Sequence, residues 1–231
     1  MINKSISVFI PALDEEENIK ESVENVLWVL KKTVKDWEII IIDDGSSDRT
    51  GEICRKLNQE DKRIKTIRHS KNQGLGKSFI SAINQATKKY MTVFPGDNDM
   101  ARKSLYELVI DKSHKDIIFS YPAGSSNRSF IRNLLSKTFV KLMNWLFNLN
   151  IKYYNGPFIV ELKKLRELPL ISKDYLIYAE LKIRLIKNGV TYKETEFMHV
   201  GRKHGRSKAV SFRNLASLFK TVINLKRSLS T

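Results

Sequence analysis

Three observations predict an α/β fold built on a mostly parallel sheet flanked by helices. Apolar runs at 5–10, 37–43, 64–68 and 90–95 alternate with amphipathic stretches near 15–33, 48–60 and 76–89, the rhythm of βαβ units. The run Ile39-Ile40-Ile41-Ile42 is apolar at every position, as a strand covered on both faces must be. With 231 residues and 42% hydrophobic content, the chain suits one large domain with a full core.

The first strand, Ile6-Ser7-Val8-Phe9-Ile10, runs into Pro11-Ala12-Leu13-Asp14-Glu15. A helix is expected from about residue 15, with Asp14 as N-cap and Glu17 three residues on. Ile19, Val23, Val26, Leu27 and Leu30 form its apolar stripe. No glycine follows the first strand, which excludes the Gly-rich dinucleotide turn. Gly76-Lys77-Ser78 looks like the end of a P-loop, but Lys71 stands where the first glycine belongs. The second strand ends in Asp43-Asp44-Gly45, and the helix after it carries the single cysteine, Cys54. One cysteine permits neither an internal disulfide nor a thiolate cluster; it reads as a small core residue.

The fourth strand, Tyr90-Met91-Thr92-Val93-Phe94, gives way to Asp97-Asn98-Asp99. Ligands of α/β sheets bind beyond the carboxyl ends of the strands, and Mg²⁺ takes one or two carboxylates plus substrate phosphates. A metal-bridged diphosphate is one reading of the tripeptide. A solvated acidic turn is the other, because Gly-Asp-Asn-Asp is good turn chemistry.

Beyond Ser125 the character changes. Residues 130–149 place Ile131, Leu134, Leu135, Leu142, Trp145, Leu146 and Leu149 on one helical face, widened by Phe139, Met143 and Phe147, with Arg132, Lys137 and Lys141 as its charges. Residues 212–229 repeat the theme with Phe212, Leu215, Ala216, Phe219, Val222 and Ile223 against Arg213, Lys220, Lys226 and Arg227. Basic helices of this kind lie in membrane interfaces, or they pack on the sheet or a second subunit. No run is long enough to span a bilayer, and the N-terminal run is too short for a signal peptide. Net charge is +16. Residues 1–100 carry 16 basic and 16 acidic side chains, so the whole excess lies after residue 100. That surface favours an anionic partner: phosphate, membrane or nucleic acid.

Six ordered motifs, spanning residues 5–210, resemble glycosyltransferase family 2 and its polyprenyl-phosphate (dolichol-phosphate mannose synthase-like) branch. They are Ser7–Glu15 with its Pro-x-x-x-Glu turn, Asp43-Asp44-Gly45-Ser46, Asn72-Gln73-Gly74-Leu75-Gly76, Asp97-Asn98-Asp99, Arg132-Asn133-Leu134-Leu135-Ser136, and Arg202-Lys203-His204-Gly205-Arg206-Ser207-Lys208. The resemblance implies a GT-A fold over residues 1–210, with a donor part to about 122, an acceptor part from about 123, and a basic amphipathic helix at 211–231. It implies that Pro11, Leu13, Glu15, Ile42 and Asp44 line the base and ribose. Asp97, Asn98 and Asp99 would meet the donor diphosphate, with Asp97 and Asp99 on a Mg²⁺ or Mn²⁺ ion. Arg202 and Lys208 would clamp phosphates, and Arg132 and Ser136 would hold the acceptor phosphate.

The implied reaction is metal-dependent, inverting transfer from a nucleoside-diphosphate sugar to a lipid-linked or glycan acceptor at the cytoplasmic face of a membrane. No nucleic acid partner is expected. A phosphate acceptor is already ionised, so no general base is assigned; Glu180 reads equally as a carboxylate paired with Lys or Arg, and His199 and His204 as solvated loop histidines. Ala101 replaces a frequent glutamine, Lys152-Tyr153-Tyr154-Asn155-Gly156 replaces an Asp-x-x-Ser-Gly stretch, and Arg206 departs from the basic-loop pattern. Two alternatives stay open. One is a nucleotidyltransferase, which should show a Gly-rich loop after the first strand. The other is a non-enzymatic binder of anionic membrane or nucleic acid, which leaves the acidic strand ends unexplained.

Overall fold

The computed structural model describes residues 2–111, 113, 115–124, 130–201 and 221–229. A seven-stranded sheet has the order β3-β2-β1-β4-β6-β5-β7. Its strands are β1 (Ile2–Ala12), β2 (Val34–Asp43), β3 (Ile64–Arg68), β4 (Tyr90–Val93), β5 (Ile117–Pro122), β6 (Phe158–Glu161) and β7 (Tyr192–Phe197). β6 alone runs against its neighbours β4 and β5; the other pairs are parallel. Strands at the four expected places are present, and β5, β6 and β7 complete the sheet from the half where no strand was assigned. β5 and β6 carry short apolar runs, Ile117-Ile118-Phe119 and Phe158-Ile159-Val160, which are ambiguous by periodicity alone.

Side-chain alternation splits the core into two layers. Ile6, Val8 and Ile10 of β1, with Ile39 and Ile41 of β2, face α1 (Ile19–Thr33), α2 (Thr50–Glu60) and α4 (Arg102–Ile110). Phe9, Ile40 and Ile42 point the other way, toward α3 (Leu75–Gln85), α5 (Phe130–Phe147), α6 (Leu162–Arg166) and α7 (Ile177–Lys187). Cys54 is buried on α2, as expected of a core residue, and burial pushes its thiol pKa up to about 12. The stretch 221–228 is helical and sends Val222 and Leu225 into the second layer.

Several boundaries differ from expectation, each for a local reason. α1 starts at Ile19, with Asn18 rather than Asp14 at its N-cap position. Asp14 has φ +53, and its carboxylate accepts hydrogen bonds from the backbone N–H and hydroxyl of Ser47. α3 stops at Gln85 because the buried Glu38 carboxylate takes both the N–H and the hydroxyl of Thr87. α5 ends at Phe147, where Asn148 turns left-handed (φ +49).

The α5 face differs too. Met143 and Phe147 are its core residues, whereas Leu134, Leu135, Leu142 and Trp145 are exposed, Trp145 at 77%. The expectation had merged these two faces into one.

Candidate active site

The order of strand addition reverses at β1, with β2 and β3 on one side of it and the parallel β4 on the other. This is the switch point at which α/β sheets open a crevice beyond their strand ends. Three segments meet there. Register sets Ala12 opposite Asp43 and Phe9 opposite Val93, so the 11–15, 43–46 and 94–99 segments leave the same edge. Gly96 permits the closest approach: a Cβ on it would lie 2.2 Å from the Pro11 carbonyl oxygen.

Asp97-Asn98-Asp99 forms a tight polar turn. Asp97 Oδ1 accepts the Asp99 N–H at 3.2 Å. Asn98 takes φ +56, which its short polar side chain tolerates; that side chain is buried and accepts from Asn25 Nδ2 at 2.9 Å. Asn98 therefore shapes the turn with its side chain. Asp99 faces the segment after β7. His199 Nδ1 lies 3.1 Å from its Oδ2, and Gly201 donates its N–H to Oδ1 at 2.9 Å. Met100 and His199 form an antiparallel bridge, and Val200 donates to the Asp99 carbonyl. Far from being a solvated loop residue, His199 is only 12% exposed and packs edge-on to Phe197, ring centroids 4.6 Å apart. Nothing in sequence links positions 99 and 199; the sheet brings them together.

The base-side residues behave unequally. Leu13 and Glu15 are half-buried at the mouth of the crevice, as is Pro11 at the end of β1. The Ile42 side chain is sealed in the core and offers a ligand nothing, which corrects its assignment to the base. Asp44 is buried, and its oxygens accept from the N–H groups of Gln73 and Gly74, with His69 Nδ1 at 2.7 Å. It is thus the anchor of the 72–74 turn. Gly74 (φ +92) and Gly76 lie against the backbone of Ser172 and Lys173, where a Cβ would approach within 2.4 and 2.1 Å of a carbonyl oxygen. Glu180 is wholly buried, accepting from the Ile171 and Ser172 N–H groups and from Arg184 Nε at 2.8 Å. It holds that backbone in place.

Arg132 and Ser136 lie one turn apart on α5, with Ser136 half-buried. Arg202 and Lys208, with His204, fall outside the described residues. Among the described residues, no group of three or more His, Cys, Asp or Glu could hold a metal ion. The pair Asp99 and His199, beside Asp97, is a carboxylate–imidazole donor set that suits Mn²⁺ when substrate oxygens complete the shell.

The sequence model of the family described as Glycosyl transferase family 2 matches residues 7–167. The chain belongs to this family. Among curated relatives, the glycosyltransferase GlyG of Streptococcus pneumoniae is 29% identical over 123 residues, 52% of this chain and 40% of that protein. An undecaprenyl-phosphate 4-deoxy-4-formamido-L-arabinose transferase of Pectobacterium atrosepticum is 29% identical over 136 residues, 58% of this chain and 42% of that protein. The chain thus spans about two fifths of the length of these relatives. Among solved structures, glucosyl-3-phosphoglycerate synthase from Mycobacterium tuberculosis, in complex with Mn²⁺, uridine diphosphate and phosphoglyceric acid, superposes with a TM-score of 0.70 at 15% identity, covering 98% of this chain and 78% of that chain. The likeness shows the GT-A fold that the motifs imply. Family 2 membership favours the glycosyltransferase reading over the nucleotidyltransferase and the non-enzymatic binder.

Proposed function

We propose that this family 2 domain transfers a sugar, with inversion, from a nucleoside diphosphate to a phosphate-bearing acceptor at a membrane surface. The observation that carries the reading is the Asp97–Asp99 turn at the switch point, with His199 brought onto Asp99. Transfer by direct displacement leaves a diphosphate whose charge must be stabilised as it develops. Asp99 and His199, with Asp97 beside them, would hold a divalent cation, which when bound neutralises that diphosphate charge. Asp99 also anchors Gly201, so the basic stretch Arg202–Lys208 starts, in sequence, directly beside the pair. An acceptor phosphate arrives ionised and needs orientation rather than a base. Glu180, whose oxygens already accept from Ile171, Ser172 and Arg184, is not positioned to serve as one.

The polyprenyl-phosphate acceptor draws support from the undecaprenyl-phosphate transferase among the relatives. The exposed α5 ridge of Leu134, Leu135, Leu142 and Trp145, flanked by Lys137 and Lys141, supports interfacial contact. No described helix is long and apolar enough to cross a membrane.

Titration calorimetry with UDP, GDP, CDP and dTDP, in Mn²⁺, Mg²⁺ or EDTA, tests the site. One diphosphate should bind in the presence of cation, and EDTA or Asp99→Asn should each weaken it by roughly tenfold or more, about 1.4 kcal/mol. Equal affinity in EDTA, or in Asp99→Asn, would refute the assignment.

A further inference from the structure

Behind the site lies a buried lysine that the reaction does not use. Lys182, in the middle of α7, is completely buried. Its ammonium donates to the carbonyl oxygens of Gly156, at 3.1 Å, and Tyr153, at 3.3 Å, and lies 5.0 Å from the centre of the Phe119 ring. Burying a lone ammonium costs several kcal/mol, and a methionine would fill the same space without that penalty. What a methionine would not supply is donors for two carbonyls in an irregular segment.

That segment, 151–157, is fixed from several sides. Asn144 of α5 bonds both backbone groups of Ile151 and accepts the Tyr154 hydroxyl at 2.8 Å. Glu194 of β7 accepts the Lys152 N–H at 2.8 Å. Gly156 lies so close to β5 that a Cβ would be 1.8 Å from the Ser120 carbonyl oxygen. Of these anchors, Lys182 is the one that bonds Tyr153 itself. The Tyr153 ring stacks at a tilt on Phe197, centroids 6.2 Å apart, and Phe197 in turn abuts His199. A continuous packed path runs from Lys182 through Tyr153 and Phe197 to the imidazole on Asp99.

We infer that Lys182 is a positioning residue: it pins the 153–156 segment and, through Tyr153 and Phe197, sets His199 against Asp99. The inference rests on reading Asp99 and His199 as the cation and diphosphate end of the site. Coupling of this kind needs packed side chains with little slack, which the path supplies.

Hydrogen exchange of the whole chain, read by mass spectrometry, tests it without ligand. The amides of Met198, Val200 and Gly201 are bonded to Ser104 and Asp99, so their exchange reports on the His199 segment. In Lys182→Met, exchange at 153–157 and 197–201 should quicken by roughly tenfold or more while β1 and β2 keep wild-type rates. Tyr153→Leu, which leaves Lys182 intact, should loosen 197–201 in the same way and carries the test alone if Lys182→Met does not fold. In a second arm, the Mn²⁺ concentration needed to bind whichever of UDP, GDP, CDP or dTDP the wild type takes should rise in both variants. Wild-type exchange at 197–201 in the variants, or a uniform rise across the sheet, would overturn the inference. Should the wild type bind none of UDP, GDP, CDP and dTDP with Mn²⁺, the reading of the site fails, and the exchange arm still decides the role of Lys182.

Discussion

Two acidic motifs that look alike in sequence do different work as residues. Asp44 spends its oxygens on Gln73, Gly74 and His69, whereas Asp99 sits 24% exposed, facing His199 and Gly201 at the crevice. The tripeptide around Asp99 was legible because carboxylates at a strand end are chemically conspicuous. The inward turn of Asp44 was not, since nothing in Asp-Asp-Gly-Ser says which groups will come within bonding distance. Lys182 gives the residue-scale prediction. Burial, opposed by the nearby Glu194 charge, lowers its pKa from 10.5 to about 7. Between those values the unfolded chain holds a proton that the folded chain lacks, so this residue makes stability rise with pH over that window, by about 1.4 kcal/mol per pH unit at most. Urea unfolding at pH 7, 8 and 9 should show wild type gaining on Lys182→Met as pH increases. Parallel curves for the two proteins would show that Lys182 keeps its charge when folded.

At the scale of elements, α5 shows what a hydrophobic stripe leaves undecided. Its apolar residues cover more than one face, and helical periodicity does not say which of them meets the sheet. Met143 and Phe147 take the core; Trp145, Leu142, Leu134 and Leu135 are left outside among basic residues. The two faces should respond oppositely to substitution. Met143→Ala should cost about 2–5 kcal/mol with no specific effect on membrane binding. The pair Leu142→Ser and Trp145→Ser should change stability by only about 0.5 kcal/mol per site while lowering co-sedimentation with acidic liposomes. Unchanged sedimentation in that double variant would remove α5 from the membrane contact.

Over the whole molecule, the second core layer recruits the far end of the chain. Val222 and Leu225 are buried in it, and Arg184, paired with Glu180, donates to the Ser228 hydroxyl at 2.9 Å. The 221–228 stretch is thus joined to the backbone that backs Gly74 and Gly76. Deleting residues 221–231 should therefore cost about 3–6 kcal/mol, from the exposure of two aliphatic side chains and the surface they cover. Thermal unfolding of the truncated chain would reveal this as a lower midpoint; a midpoint equal to wild type would mean the stretch is dispensable to the fold.

By itself, the sequence determined the α/β class, the four parallel strands of the first half and the acidic turn at β4, because these follow from local periodicity and from motifs contained in single segments. It also carried the family, through six ordered motifs. Only the tertiary structure decided that β6 inserts antiparallel between β4 and β5, that Ile42 is core and Asp44 an anchor, and that His199 meets Asp99 across a hundred residues of chain. Those outcomes depend on which surfaces the packed sheet brings together. No local pattern encodes such a meeting, since each partner is ordinary in its own segment and acquires its role only when the other arrives.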